Sequence, residues 1–217
     1  DSTDPTANPS NLQAFKANGG SSITGGGWTN GASPYFTWDA GVDGNAGVLG
    51  YCAYLGTDMN ADPTTTKGLL GTSPVQTGGS CQFITSGNSL DLAIPGLLGT
   101  PLTSSNDTVY LNLRTIDKAG NITNTSSQFS FRFDNTPPAN PGFITAPSGF
   151  INTKEVNMSW PTTGGSAPND ANSGLAGLQY RIGPSGTWYG DTHSGSGDMS
   201  DLLANDGQYT TQNTPDF

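Results

Sequence analysis

The chain of 217 residues has one histidine, His193, one glutamate, Glu155, two cysteines and only seven lysines and arginines. Each scarcity closes off a class of function. Nucleic-acid binders draw most of their affinity from a basic face, and seven cations against seventeen acids leave a net charge of −10, so no nucleic-acid partner is expected. No apolar run approaches the roughly 18 residues of a membrane helix, and no stretch reads as a signal peptide. No membrane span is expected, and the chain reads as a mature or internal piece. Enzyme sites need acids, bases and nucleophiles set together. His193 sits in the loop sequence Gly190-Asp191-Thr192-His193-Ser194-Gly195 and reads as a solvated residue, with no Gly-x-Ser-x-Gly elbow to supply a nucleophile. Paired aspartates could hydrolyse glycosides only if one were desolvated, and these lie in polar turns. The chain reads as a non-enzyme that requires no cofactor.

Turn formers are abundant instead: 31 glycines and 15 prolines stand beside 32% hydrophobic and 11% charged residues. That balance suits many short strands joined by tight turns, an all-β chain. Sixteen of the acids are aspartate, whose short side chain bonds nearby backbone in loops and caps. Cys52 and Cys81 fall on strand-like runs, Tyr51 to Leu55 and Cys81 to Thr85, that would neighbour each other in a long hairpin. They pair as a disulfide in an oxidising, extracellular setting or remain as two buried thiols.

The chain also repeats itself. Trp28-Thr29-Asn30 leads through Tyr35-Phe36-Thr37-Trp38 as Phe150-Ile151-Asn152 leads through Asn157-Met158-Ser159-Trp160. The run from Gly47 to Gly56 lines up with that from Gly174 to Gly183. The leaders Asp1-Ser2-Thr3-Asp4-Pro5 and Asp134-Asn135-Thr136-Pro137-Pro138 are each followed by Ala-Asn-Pro. Three matches in one order indicate an array, with one module over residues 1–133 and a second over 134–217.

Period-two alternation places strands at Tyr35–Trp38, Gly50–Leu55, Ser89–Ile94, Val109–Ile116 and Phe129–Phe133, in a sandwich of about seven strands. The early-strand Trp, the corner at Ile94 to Leu97, the Tyr110-x-Leu-x-Arg114 strand, the Asp117-Lys118-Ala119-Gly120-Asn121 turn and the Phe133-Asp134-Asn135-Thr136-Pro137-Pro138 exit resemble bacterial immunoglobulin-like or fibronectin type III-like repeats of cell-surface proteins. The resemblance implies tandem immunoglobulin-like β-sandwiches, with Trp38 and Trp160 in the cores and Tyr110 forming a corner at the start of a late strand. Against that plan, copy one carries an insertion of about two dozen residues in the hairpin loop 57–80, read as a contact surface or a tolerated loop. Copy two lacks counterparts of Val109 to Phe133, its last two strands. It is a piece of a longer array, is completed by a strand from another subunit, or is rearranged.

Calcium takes six to eight oxygens from Asp, Asn and carbonyls. In a sandwich of this connectivity the entry leader, the loop after the Trp strand and the turn between the last two strands share one pole. Candidate calcium ligands are therefore Asp1, Asp39, Asp43, Asn45, Asp117 and Asp134, with Asp170 in copy two; each is also a natural turn former. Asp58-Met59-Asn60-Ala61-Asp62 opens like a calcium loop but has Pro63 and Leu69 where the loop needs Gly and Glu. Trp28 and Trp188 could stack on sugars if exposed, but both occupy strand-like positions matched by apolar residues and read first as core residues.

Together these features lead us to expect a non-catalytic extracellular module of a surface protein: a stalk, adhesin or surface-layer segment whose partners are neighbouring repeats. The alternatives are a filament subunit assembled by strand complementation and a carbohydrate-binding accessory module partnered with surface glycans.

Overall fold

The computed structural model describes residues 1–75, 81–150, 152, 157–178, 184 and 185, and the backbone of 208–210. His193, Trp188 and residues 179–183 of the 174–183 match lie outside them. Eleven strands and no helix run through the described residues, so none of these residues form a helix long and apolar enough to cross a membrane. The chain divides into two compact units, Asp1–Asn135 and Thr136–Phe217.

The first unit holds nine strands: β1 (Ser10–Phe15), β2 (Ser22–Ile23), β3 (Trp28–Thr29), β4 (Tyr35–Asp39), β5 (Val48–Gly56), β6 (Ile84–Thr85), β7 (Ser89–Asp91), β8 (Thr108–Asp117) and β9 (Ser127–Phe133). They form a four-stranded sheet in the order β2-β1-β4-β7 and a five-stranded sheet in the order β3-β9-β8-β5-β6. Both sheets feed one core, as in a β-sandwich. Alternation decides which side chains enter it. Val109, Leu111 and Leu113 of β8 point inward with Phe131 and Phe133 of β9, while Phe36, Trp38 and Leu90 come from the other sheet. Burying each such side chain stabilises by about 1.5–3 kcal/mol.

Tyr110 lies between Val109 and Leu111 and so faces outward, half-buried, opposite Ser130 and Gly56. The corner role expected for it is corrected. The tyrosine hydroxyl that ties the layers together belongs to Tyr51, which accepts the Gly41 N–H at 3.1 Å and donates to Asn88 Oδ1 at 3.1 Å. Trp38 packs edge-on against Tyr51, with ring centroids 5.4 Å apart.

The insertion after Gly56 folds back over the outer face of the five-stranded sheet. Asn112, on that face and 1% exposed, donates to the carbonyls of Met59 and Ala61 at 3.2 and 3.0 Å. Gln128 holds Met59 O at 2.9 Å, and Arg114 grips both oxygens of Asp62 at 3.0 and 3.2 Å. Further along, Cys52, Cys81, Ile84 and Ile116 form a second small core flanked by Val75 and Ile122. A Cys52–Cys81 disulfide spans it, choosing the bonded alternative.

The second unit, taken by itself, contains β10 (Asn157–Ser159) and β11 (Gln208–Thr210), paired antiparallel. Two isolated bridges join Ala139 to Asn169 and Thr145 to Ser159. Their spacing along the leading strand matches that of the first unit, whereas the partners Asn169 and Ser159 stand ten residues apart where Val42 and Thr37 stand five. There Ala7 bridges Val42, and Gln13, six residues after Ala7, pairs with Thr37, the residue before Trp38. Thr145 likewise stands six after Ala139, and Ser159 precedes Trp160. Ser159 pairs with Gln208, as Thr37 pairs with Ser89.

Candidate metal centre

Three backbone pairings build this site. Thr6 and Ala7 donate to Val42 O at 2.8 and 3.2 Å, laying the leader beside the loop that follows β4. Lys118 N donates to Gly47 O at 3.0 Å, and Val48 pairs with Asp117, laying that loop beside the end of β8. As a result Asp1, Asp43 and Asp117 come together, each with a carboxylate oxygen within 4.8 Å of the others.

Each carboxylate is held by backbone. Asp43 Oδ2 accepts the N–H groups of Asn45 at 3.1 Å and Gly47 at 2.6 Å, a wrap completed by Gly47 at φ +78, where a side chain would be strained. Asp1 accepts from Thr3 N at 2.9 Å and Ala46 N at 3.1 Å. Asp117, fully buried, accepts from Ala119 N at 2.9 Å, Asn121 N at 2.8 Å and Asn121 Nδ2 at 2.8 Å. Burial alone would raise its pKa. The bonds from the Asn121 side chain and from the backbone of Asn121, Gly120 and Ala119 outweigh that and hold the carboxyl below the usual aspartate range.

The hydrogen bonds that these three carboxylates accept come from neutral amides, and the Lys118 ammonium lies 3.5 Å from where a Cβ on Gly47 would sit. Carboxylates keep lone pairs after accepting an N–H, so this set fits a hard divalent cation in charge and in ligand type.

Of the seven expected ligands, the structure brings together Asp1, Asp43 and Asp117. Asp39 is bound by Asn11 Nδ2 on the β1–β4 pair. Asn45 lends its backbone N–H to Asp43. Asp134 is buried at the opposite end of the five-stranded sheet, its N–H on Thr29 O at 3.0 Å, because β9 runs away from the Asp117 end. Asp170, in the second unit, accepts the N–H groups of Asn172, Ser173 and Gly174 at 2.9, 3.0 and 3.2 Å, with Gly174 at φ +77. The second calcium-like sequence does not converge: Asp58 bonds Asn60 N, while Asp62 is taken by Arg114. Trp28 is half-buried, with the Arg132 guanidinium 5.6 Å over one face of its ring. Trp38 is 4% exposed, its indole N–H without a hydrogen-bond partner, and Trp160 is half-buried.

Sequence reasoning missed the neighbour of this centre, a strap of Ala7-Asn8-Pro9 that engages both sheets. Ala7 bridges Val42 on one side and accepts the Thr115 hydroxyl at 2.9 Å on the other. Asn8 Oδ1 accepts from Thr115 N at 3.1 Å and Thr123 Oγ1 at 2.5 Å, and Asn8 Nδ2 donates to Thr125 O at 2.6 Å. Ser127 Oγ donates to Pro9 O at 2.5 Å. The available signal was the recurrence of Ala-Asn-Pro at 139–141. No family model matches the chain, and no curated protein matches it.

Proposed function

We propose that the chain is a non-catalytic, extracellular structural or adhesive module of a larger repeat protein, resembling immunoglobulin-like or fibronectin type III-like segments of cell surfaces. The observation that carries this reading is the Cys52–Cys81 disulfide joined to the second core it spans. Such bonds form and persist in oxidising compartments. The polar groups of the first unit support it: Asn8, Asn112, Arg114 and Tyr51 fasten leader, insertion and layers to each other. The matching leading-strand spacing and the shared pairing of the residue before each Trp support reading residues 134–217 as a second copy. Within this reading, a calcium ion at Asp1, Asp43 and Asp117 would fasten the leader to the end of β8. Trp28 beneath Arg132 weighs against a sugar-stacking role.

Labelling intact source cells with an antibody raised against the first unit tests the proposal. Staining without permeabilisation is the expected result. Staining that appears only after permeabilisation would overturn it.

A further inference from the structure

The second unit carries the pattern of one sheet of the first in the same register at three positions. Thr145 stands for Gln13 of β1, β10 for β4 and β11 for β7. In the first unit β1 does not end at its own sheet; it packs on β9 of the other sheet. That contact half-buries Leu12 against the core and buries Ala14 to 1%. By the shared offset, Leu12 corresponds to Ile144 and Ala14 to Ala146. Ile144 is 60% exposed, Ala146 is exposed, and Phe143 beside them is 58% exposed. Asn140, the counterpart of Asn8, is exposed too, whereas Ala139 already makes its bridge to Asn169. One side of the strap is engaged and the other faces solvent.

We infer that Ala139-Asn140-Pro141 and the Ile144/Ala146 face form a docking surface for a β-hairpin with the chemistry of β8–β9. The first unit displays that occupant. It is a hairpin whose first strand offers a threonine N–H and hydroxyl, as Thr115 does. The connection between its strands offers a threonine hydroxyl and carbonyl, as Thr123 and Thr125 do, and its second strand carries alternating aromatics such as Phe129, Phe131 and Phe133. The Asn140 amide has both a donor and an acceptor for these groups, as Asn8 has. Ile144 and Ala146 then meet the aromatic face, which removes an apolar edge from water. The hairpin is recognised by side chains and by its two-strand geometry, so a lone extended peptide does not satisfy the site.

The full chain, extended beyond Phe217 by a Gly/Ser linker of about 20 residues and a second copy of residues 107–134, tests this. Such a linker reaches roughly 25 Å and holds the hairpin at about millimolar effective concentration. Hydrogen exchange over residues 139–146 and 157–160 should slow at least tenfold relative to the unextended chain. The gain should vanish with a hairpin of scrambled sequence, and Asn140→Ala in the extended chain should remove most of it. Equal exchange with and without the hairpin would overturn the inference. So would equal protection by the scrambled sequence, or protection untouched by Asn140→Ala. Protection of the unextended chain that grows with its concentration would assign the face to a second copy and also overturn it.

Discussion

Single side chains in this protein act mostly as fasteners, and two of them give sharp outcomes. Asp117 is buried, with its carboxyl held below the ordinary aspartate range. As pH falls, the unfolded chain therefore takes up its proton first. The stability it contributes is whole above about pH 4 and is lost as pH drops through the lower folded-state value. Urea unfolding should show Asp117→Ala destabilised by roughly 3 kcal/mol at pH 7, since three N–H donors lose their acceptor, and the variant should lose less on going to pH 3 than the natural chain. Thermal melts read the cation at the same place: millimolar calcium should raise the melting temperature of the natural chain and leave Asp43→Asn unmoved. Tyr51 is the second case. Tyr51→Phe strands the Gly41 N–H and the Asn88 side-chain amide oxygen and should cost about 1–2 kcal/mol, whereas Tyr110→Phe, on the outward face, should stay within about 0.5 kcal/mol.

At the scale of elements, period-two alternation made β4, β5, β8 and β9 legible, even though β5 is buried on both faces from Gly50 to Gly56. β1 was not legible. Half of its Ser-Asn-Leu-Gln-Ala-Phe sequence is polar, Asn11 adopts φ 49, and the register shifts between Ser10 and Gln13, so only packing of Leu12 and Ala14 reveals a strand. β7 ends at Asp91, short of the expected Ile94, because Asp91 Oδ1 turns back to accept the Ala93 N–H at 3.0 Å. The insertion reads as loop in sequence, yet its anchors are Asn112, Arg114 and Gln128, residues distant along the chain that no local pattern connects to it. Its disulfide closes a separation of 29 residues, worth about 3.5 kcal/mol on the chain-entropy model. Urea unfolding with and without reductant should show a loss of that size. An unchanged midpoint after complete reduction would mean that the anchors alone hold the segment.

For the whole molecule, the candidate site was half legible. Convergence of leader, post-tryptophan loop and late turn followed from connectivity, and the structure brings Asp1, Asp43 and Asp117 together there. Asp134 was misplaced because acidity in a linker says nothing about which end of a strand it leaves from, and that is fixed by the antiparallel run of β8 and β9. The same run has a mechanical consequence. The leader enters beside Asp117, and the chain leaves at Asp134 near the far end of β8, a strand of ten residues and thus about 33 Å long. A pull on the two ends of the first unit is directed along its strands. Hydrogen bonds between β8 and β9, and those of the Ala7-Asn8-Pro9 strap, are then loaded in shear and must yield together, where a pull from one end would unzip them in turn.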